Sequence, residues 1–406
     1  MTVQQSTAPR FSVTLVAILL ARITLNISYR ITYPFLPVIA RGLGVDLPLA
    51  GLLVTARATG GLASPIFGSL SDGYGRKRMM LAGLALLVAG AAICAMLPLY
   101  PAFMAAFVMF GLSKAAYDPT MQAFIGDRVP YERRGQALGI VEFSWASAWL
   151  IGVPSTGWLI ARTGWQAPFA LLAGLGVAGI LLIAWLLPRD EPATTAVHRS
   201  FQLGTVMRNR NLIAALCMAF FITLANEVTF IVYGAWMESR FSLSVVSLGI
   251  ASIVIGIAEA IGELGSTVFV DRLGKRRAIL AGLVILGISY AVLPALGQKL
   301  EWALAGLALL FVSFEFTIVS SFPLISELAP EARATAMSVN VAAMTTARMI
   351  GSASGTALFA WVGRLEPNAT ISVIATAVAF GVLWMFVRER PDRFSKPVRS
   401  EEAAQS

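Results

Sequence analysis

Long apolar stretches alternate with short polar segments along the whole chain. Dividing the apolar runs at Gly, Pro and charged positions predicts twelve helices. Each predicted helix is long enough to cross a hydrocarbon core of about 30 Å. Their approximate limits are 12–39, 48–70, 79–98, 102–125, 136–160, 166–187, 212–237, 245–269, 278–297, 302–326, 334–361 and 368–387. The pattern predicts an all-α membrane protein with twelve transmembrane helices.

Two polar segments divide this pattern. The longest interruption runs from Pro188 to Arg210, and its Arg, Asp, Glu, Pro and Thr content suits a flexible linker. Another polar segment follows Arg388. We expect an N-terminal six-helix bundle at 1–187, a central cytoplasmic loop at 188–210, a C-terminal six-helix bundle at 211–388 and a cytoplasmic tail at 389–406.

Composition supports a membrane location. Of the 406 residues, 57% are hydrophobic and 13% are charged, which is about half the charged share of a soluble domain. The formal net charge of +9 comes from Lys and Arg clustered between apolar runs, which indicates membrane topology rather than nucleic-acid binding. Placing both termini in the cytoplasm puts most of these clusters on that side. We expect a multi-pass protein of the cell membrane, of the bacterial inner-membrane type, that acts as a monomer in the lipid bilayer.

Few residues suit catalysis or cofactor binding. Cys94 and Cys217 lie in separate apolar segments, and the single histidine, His198, lies in a polar one. These positions provide no metal-ligand spacing and no disulfide framework. The sequence also has no nucleotide-binding loop. We expect no metal, no cofactor and no enzymatic activity, and any proton chemistry must use carboxylates.

Two polar loops of the first half recur in the second half. Residues 68–78, Gly-Ser-Leu-Ser-Asp-Gly-Tyr-Gly-Arg-Lys-Arg, follow the second predicted helix, and the similar residues 270–277 follow the eighth. Residues 127–133 follow the fourth helix and 327–333 follow the tenth, with an acidic residue, Pro and Arg at matching places. The first pair of loops lies 199 positions apart and the second pair 200. Duplication of a six-helix unit accounts for both offsets.

The loop at 68–78 resembles the signature of the major facilitator superfamily, and the loop at 127–133 is similar to a further pattern of that family. The resemblance extends from about Phe11 to Val387. It implies two pseudo-symmetric six-helix bundles around a central cavity, and transport of a small-molecule substrate by alternating access. In the second half Thr267 stands where the loop pattern begins with glycine, so helix packing there is expected to be looser.

The same resemblance implies a gate role for these loops. A charge pair between helix ends can hold one conformation closed and break in another, and Asp72 with Arg76 is the first candidate. The full candidate set is Gly68, Asp72, Gly75, Arg76, Asp127, Arg133, Asp271, Gly274, Glu327 and Arg333. Alternatively, the basic residues only fix the topology of the loop.

Eleven ionisable residues lie inside the predicted helices: Arg22, Arg30, Arg57, Lys114, Asp118, Glu142, Glu227, Glu259, Glu263, Glu315 and Arg348. A charge at the bilayer centre costs at least about 2.5–3.5 kcal/mol, so these side chains should face a cavity or one another. We take five carboxylates as candidates for proton coupling: Glu259, Glu263, Asp118, Glu227 and Glu315.

Helical spacing suggests local partners for some of these charges. Arg22, Asn26 and Arg30 form a stripe at i, i+4 and i+8. This stripe either binds an anionic group of the substrate or serves as an internal counter-ion for Asp118 or Glu142. Lys114 and Asp118 are expected to pair within one helix.

The like charges of Glu259 and Glu263 also fall at i, i+4. They favour a shared proton unless a cation intervenes. Alternatively, a neighbouring helix, Arg57 or Arg348 satisfies the pair.

Candidates for the substrate cavity combine charged, polar and aromatic side chains. They are Arg22, Asn26, Arg30, Arg57, Tyr33, Glu142, Trp145, Trp149 and Arg348. The fifth predicted helix contains 152–157, Gly-Val-Pro-Ser-Thr-Gly, which is similar to an element of drug/proton antiporters in the same superfamily. The match is partial, and a proline-kinked, glycine-packed helix is the alternative.

Three functions remain open from the sequence. The first is proton-coupled efflux of small apolar or amphipathic compounds by an antiporter. The second is an uptake carrier or uniporter for a small organic anion, recruited by arginines of the membrane interior. The third is a lipid-handling or sensor protein on the same fold. The absence of an appended soluble domain weighs against a sensor.

Overall fold

A computed structural model describes residues 8–129, 131–188 and 203–387 of the chain. The regular elements in these ranges are helices. In the first half they are α1 (Ala8–Arg30), α2 (Thr32–Leu43), α3 (Leu47–Gly61), α4 (Ser64–Tyr74), α5 (Arg76–Met96), α6 (Tyr100–Arg128), α7 (Tyr131–Ser147), α8 (Val153–Thr163) and α9 (Ala167–Leu186), with a π-helical segment, Ala148–Gly152, between α7 and α8. In the second half they are α10 (Leu203–Arg208), α11 (Arg210–Phe230), α12 (Tyr233–Phe241), α13 (Val245–Leu273), α14 (Lys275–Leu296), α15 (Leu300–Leu328), α16 (Arg333–Val362) and α17 (Glu366–Phe386).

These helices form twelve membrane crossings, six in each half, as the hydropathy pattern predicts. Broken crossings combine α1 with α2, α3 with α4, α7 with α8, and α11 with α12, and the others are single helices. Within the described residues, eight crossings contain a helix that is long and apolar enough to be recognised as a span by itself. Each of the other four carries an ionisable residue of the interior: Arg57 in α3, Lys114 and Asp118 in α6, Glu142 in α7 and Arg348 in α16.

The two halves repeat at an offset near 200 positions. α6 and α15 correspond at an offset of 200, and the first crossing of each half breaks at equivalent places, after Arg30 and after Phe230. Pro34 explains the first break, because it has no N–H to donate to the carbonyl oxygen of Arg30. Gly234 occupies the position equivalent to Pro34. The duplication predicted from the loops therefore extends to the helix breaks.

The two halves contact each other at the end of the molecule opposite the loops at Gly75 and Gly274. We call the end with these two loops the basic end. At the opposite end, the Thr55 hydroxyl of α3 lies 2.8 Å from the Ser352 hydroxyl of α16.

Glycines bring backbones of the two halves close together at this contact. A Cβ atom added to Gly234 of α12 would lie 2.6 Å from the Pro34 carbonyl carbon of α2. A Cβ atom at Gly249 of α13 would lie 3.1 Å from the Cα of Pro154 in α8. Glycines therefore form part of the contact that closes this end of the molecule.

The halves separate toward the basic end. α3 packs against α16 of the other half, whereas α4, which continues the same crossing, packs against α5 and α6 of its own half. In this conformation the packing between the halves is therefore concentrated away from the basic end.

The predicted central loop and tail are described only in part. Residues 189–202 and the tail at 389–406 lie outside the described residues. Within the segment expected to be a flexible linker, the structure contains the short helix α10 (Leu203–Arg208). Asn209 then caps α11, because its side-chain oxygen accepts a hydrogen bond of 3.1 Å from the backbone N–H of Leu212.

Candidate functional site

A charged network joins α1, α6 and α7 inside the first half. The Nε atom of Arg22 lies 3.3 Å from Oδ1 of Asp118, and its Nη1 atom lies 3.0 Å from Oε1 of Glu142. Lys114 pairs with Asp118 at 2.7 Å, as the i, i+4 spacing predicts. Arg22 is buried and bonded to both carboxylates, so it serves as their counter-ion.

Asn26 extends this network toward the centre of the molecule. Its amide oxygen accepts a hydrogen bond of 2.7 Å from the Lys114 ammonium, and its amide nitrogen donates to the Ser144 hydroxyl at 2.9 Å. The Lys114 ammonium also lies 4.1 Å from the centre of the Trp145 ring. The predicted stripe on α1 is therefore divided: Arg22 and Asn26 bond within the first half, and Arg30 bonds to the second half.

Arg30 forms the charged link between the halves. Its Nη2 atom lies 2.6 Å from Oε2 of Glu259 in α13, and the Trp149 indole N–H donates to the same oxygen at 3.0 Å. The guanidinium also lies 4.5 Å and 4.9 Å from the ring centres of Trp145 and Trp149. Arg30 ends α1, where the helix dipole favours a cation.

The π-helical segment places Trp149 in this link. Pro154, in the first turn of α8, has no N–H for the carbonyl of Leu150, and the preceding turn widens into the π-helical segment. The Trp149 side chain is fully buried against α13. The same region contains the element at 152–157, and Gly157 lets α8 approach the backbone of Val245 in α13. This element therefore belongs to the contact between the halves.

The partner of Glu259 differs from the sequence expectation. Arg57 and Arg348 were the suggested cations, and Arg30 forms the ion pair instead. The spacing of residues along one helix does not show which cation of the other half will approach it. A cation therefore does intervene at the Glu259 and Glu263 pair.

Glu227 of α11 faces Tyr33 of α2 across the contact between the halves. The Tyr33 hydroxyl donates to the carboxylate, with oxygen–oxygen distances of 3.3 Å and 3.2 Å. The Tyr33 ring stacks on Phe230 with ring centres 4.3 Å apart. Glu227 is buried, so its position depends on this neutral donor and on the arginines nearby.

Arg57 and Arg348 are those arginines. Arg57 donates to the Tyr29 carbonyl oxygen at 2.8 Å and to the Thr32 hydroxyl at 3.0 Å, and its guanidinium lies 4.2 Å from the centre of the Tyr29 ring. Arg348 has no hydrogen bond or ion pair in the part of the chain that the structure describes. Both guanidinium groups interact electrostatically with Glu227.

Two more carboxylates lie beside Glu259 in the second half. A Cβ atom at Gly262 of α13 would lie 2.9 Å from the Cβ of Glu315 in α15, so Glu315 packs between the turns that carry Glu259 and Glu263. Glu315 interacts electrostatically with both. Among the described residues, the side chains of Glu263 and Glu315 have no hydrogen bond or ion pair. We call Glu259, Glu263 and Glu315 the acidic cluster.

The repeated loops form equivalent ion pairs at the basic end. Arg76 Nε lies 3.3 Å from Asp127 Oδ2 in the first half, and Lys275 Nζ lies 2.6 Å from Glu327 Oε1 in the second. In the first half the ion pair joins the start of the third crossing to the end of the fourth. In the second half it joins the start of the ninth crossing to the end of the tenth. Lys275 was not selected from the sequence, although its offset of 199 from Arg76 could have identified it.

The other gate candidates fall into three groups. Gly75 and Gly274 connect helices with φ of 98° and 81°, a conformation that only glycine adopts easily. Arg333 begins α16 and is exposed. The predictions for Gly68, Asp72, Arg133 and Asp271 concern side chains outside those that the structure describes.

Known proteins share both sequence and fold with this chain. The sequence profile of the Major Facilitator Superfamily matches residues 18–314 and 215–405. The MFS-type transporter YceJ of Bacillus subtilis is 28% identical over 329 residues, which are 78% of this chain and 82% of YceJ. The multi-drug resistance efflux pump PmrA homolog of Lactococcus lactis is 27% identical over 380 residues, 89% of this chain and 91% of that protein.

A solved structure shows the same fold. The bacterial homolog to the human lysosomal transporter Spinster, in an inward-facing and unoccupied conformation, matches with a TM-score of 0.76. It is 16% identical, and the match covers 95% of this chain and 100% of that one. With its twelve crossings and duplicated halves, the chain belongs to the Major Facilitator Superfamily and is a multi-pass membrane transporter of small molecules, not an enzyme.

Proposed function

We propose that this transporter exports small, largely apolar or amphipathic compounds in exchange for protons. The observation that carries the proposal is the acidic cluster in the middle of the membrane. Among the described residues, Arg30 is the single cation in ion-pair contact with these three carboxylates. Two negative charges remain to be offset by protons or by a positive group of a substrate.

Competition for these charges produces exchange. A proton or a substrate cation can neutralise Glu263 or Glu315, and each makes binding of the other less favourable. Glu315 is partly buried whereas Glu263 is exposed, so neutralising Glu315 has the larger effect on the balance between conformations. Protons that enter the cluster from one side of the membrane therefore displace a compound that entered from the other side.

The ion pair of Glu259 with Arg30 gives the proton a further effect. In the observed conformation this pair is formed and the end opposite the basic end is closed. A proton on Glu315 leaves this pair intact and removes the repulsion between Glu315 and Glu259, so it favours the conformation in which that end is closed. Asp118 is a weaker candidate for this role because Arg22 and Lys114 both hold it, and Glu227 lies outside the acidic cluster.

We place the basic end and both termini at the cytoplasm, because Lys and Arg are enriched in cytoplasmic loops. The observed conformation is then open to the cytoplasm, where an exported compound enters. The PmrA homolog, a multi-drug resistance efflux pump by its description, supports export as the direction. We expect the protein to act as a monomer in the inner membrane of a bacterium.

Proton-driven dye transport in proteoliposomes tests the proposal. Ethidium is a suitable probe because it is a permanent cation that an acidic lumen does not trap. We expect uptake into acidic liposomes through the molecules whose basic end faces outward, and a gradient of one pH unit supports about tenfold accumulation in one-for-one exchange.

Two variants make the test specific. Glu315→Gln should lower the gradient-driven uptake at least tenfold, whereas Glu301→Gln, an exposed glutamate on the same helix, should leave it unchanged. Uptake that is equal with and without the pH gradient would contradict the proposal.

A further inference from the structure

Two arginines of opposite halves converge near the acidic residue of α11. Arg57 belongs to α3 of the first half, and Arg348 belongs to α16 of the second. Both interact electrostatically with the same three side chains, Tyr29, Tyr33 and Glu227.

Helix packing explains why Arg348 lies here. A Cβ atom at Gly351 would lie 2.7 Å from the Cβ of Glu227, so α16 passes close to α11 at this point. Arg348 lies three positions earlier, on the same face of α16, because residues at i and i+3 are neighbours on a helix. Arg348 therefore lies one turn along α16 from the point where this helix contacts Glu227.

The local charges do not balance. Two guanidinium groups lie around one carboxylate, and Glu227 forms an ion pair with neither in the described structure. Arg57 is held by the neutral oxygens of Tyr29 and Thr32. Arg348 is partly exposed and, among the described residues, has no hydrogen bond or ion pair. A cation of the membrane interior without a contact partner marks a place where an anion is stabilised.

We propose that Arg57 and Arg348 form a subsite for an acidic group of the transported compound. This inference rests on the proposed function and adds a substrate class to it: amphoteric compounds with a carboxylate or similar anion beside a positive or aromatic part. A guanidinium binds a carboxylate through two parallel hydrogen bonds, and Arg348 has the free donors for this. The rings of Tyr29 and Tyr33 border the subsite and provide apolar contact.

The remainder of such a compound extends toward the acidic cluster. Glu315 interacts electrostatically with Arg348 as well as with Glu259. The arginine subsite and the acidic cluster are therefore near enough to act on one small molecule. An acid group and a positive group on the same compound match the two signs of charge in the membrane interior.

Two dyes that differ by one group test the subsite. Rhodamine 110 has a free carboxylate, and rhodamine 123 is its methyl ester. Binding of each is measured by fluorescence anisotropy with the purified full-length protein in dodecyl maltoside. We expect rhodamine 110 to bind about tenfold more tightly, since a charge-assisted hydrogen-bonded pair of this kind is worth about one such factor or more.

Two variants of Arg348 test whether this arginine causes the difference in affinity between the two dyes. Arg348→Gln should make the two dyes bind equally, and Arg348→Lys should keep part of the preference because it keeps the charge and loses the planar fork. Glu301→Gln serves as the matched control and should keep the full preference. Equal binding of the two dyes to the native protein, or an unchanged preference in Arg348→Gln, would overturn the proposal.

An acidic lipid head group carries the same chemistry as an acidic substrate. Repeating the titration with added phosphatidylglycerol separates the two sources. A preference that persists supports a subsite for a soluble compound, and a preference that the lipid abolishes overturns that assignment. Binding is measured without any pH gradient, so failure of this inference and failure of proton-driven ethidium transport give separate results.

Discussion

Replacing Glu259 with glutamine should open the end of the molecule opposite the basic end. The change keeps an acceptor for the Trp149 indole N–H and removes the 2.6 Å ion pair with Arg30. Removing one partner of a buried pair costs about 3–5 kcal/mol. The amide oxygen of the glutamine can still accept a hydrogen bond from Arg30, and a hydrogen bond to a charged group is worth about 1.5–3 kcal/mol. A net loss of about 2 kcal/mol in the closed conformation corresponds to a factor of about 30.

The rate of thiol labelling measures this shift. Ser352 is buried in the closed contact with Thr55, so a cysteine at position 352 reacts with a water-soluble maleimide only when that contact opens. The measurement uses a background in which Cys94 and Cys217 are replaced by alanine. The labelling rate should rise about thirtyfold in the glutamine variant, in proportion to the open population.

Glu263→Gln provides the control, because it removes a carboxylate one turn away from Glu259 that has no ion pair in the described structure. Its labelling rate should stay near that of the native protein. Equal rates in the Glu259 and Glu263 variants would show that the ion pair persists in both conformations, since a contact shifts an equilibrium only if it differs between the states. The reasoning about the link between the halves would then fail.

Three further changes test packing and charge elsewhere. Arg22→Gln strips two carboxylates of their shared counter-ion and should lower the thermal midpoint in detergent, by the equivalent of about 3 kcal/mol at most because Lys114 still holds one of them. Gly51→Val should stop transport, because its Cβ would lie 2.9 Å from that of Thr356, and Thr356→Ala in the same chain should restore part of the activity. Lys275→Glu should slow transport with a stability change under about 1 kcal/mol, and adding Glu327→Lys should recover the rate. Failure of either second substitution to restore activity would contradict the corresponding contact.

The limits of the helices could be predicted from the sequence because each helix must be long enough to cross the bilayer. The fourth and tenth predicted helices, 102–125 and 302–326, differ by two or three residues at each end from α6 and α15. The ion pair of Lys114 with Asp118 was also predictable, because both residues belong to one helix and its period fixes their separation.

The charged link between the halves was not predictable in this way. Arg30 and Glu259 are 229 positions apart, and their contact depends on how two bundles meet. Several cations of the interior were equally plausible partners from sequence alone. The signal that the sequence did contain was the proline at position 34, which ends α1 at Arg30 and places that side chain at a helix terminus in the middle of the membrane.

The close contact of Gly234 with Pro34 bears on how the chain diverged after its duplication. These residues lie 200 positions apart and therefore descend from one ancestral position. Two identical units meeting about a twofold axis would place the same residue on both sides. Joined in one chain, the copies were free to change separately, and one position now holds a rigid imino acid where the other holds no side chain. Neither half is then suited to pair with a second copy of itself, which commits the chain to its own internal partner.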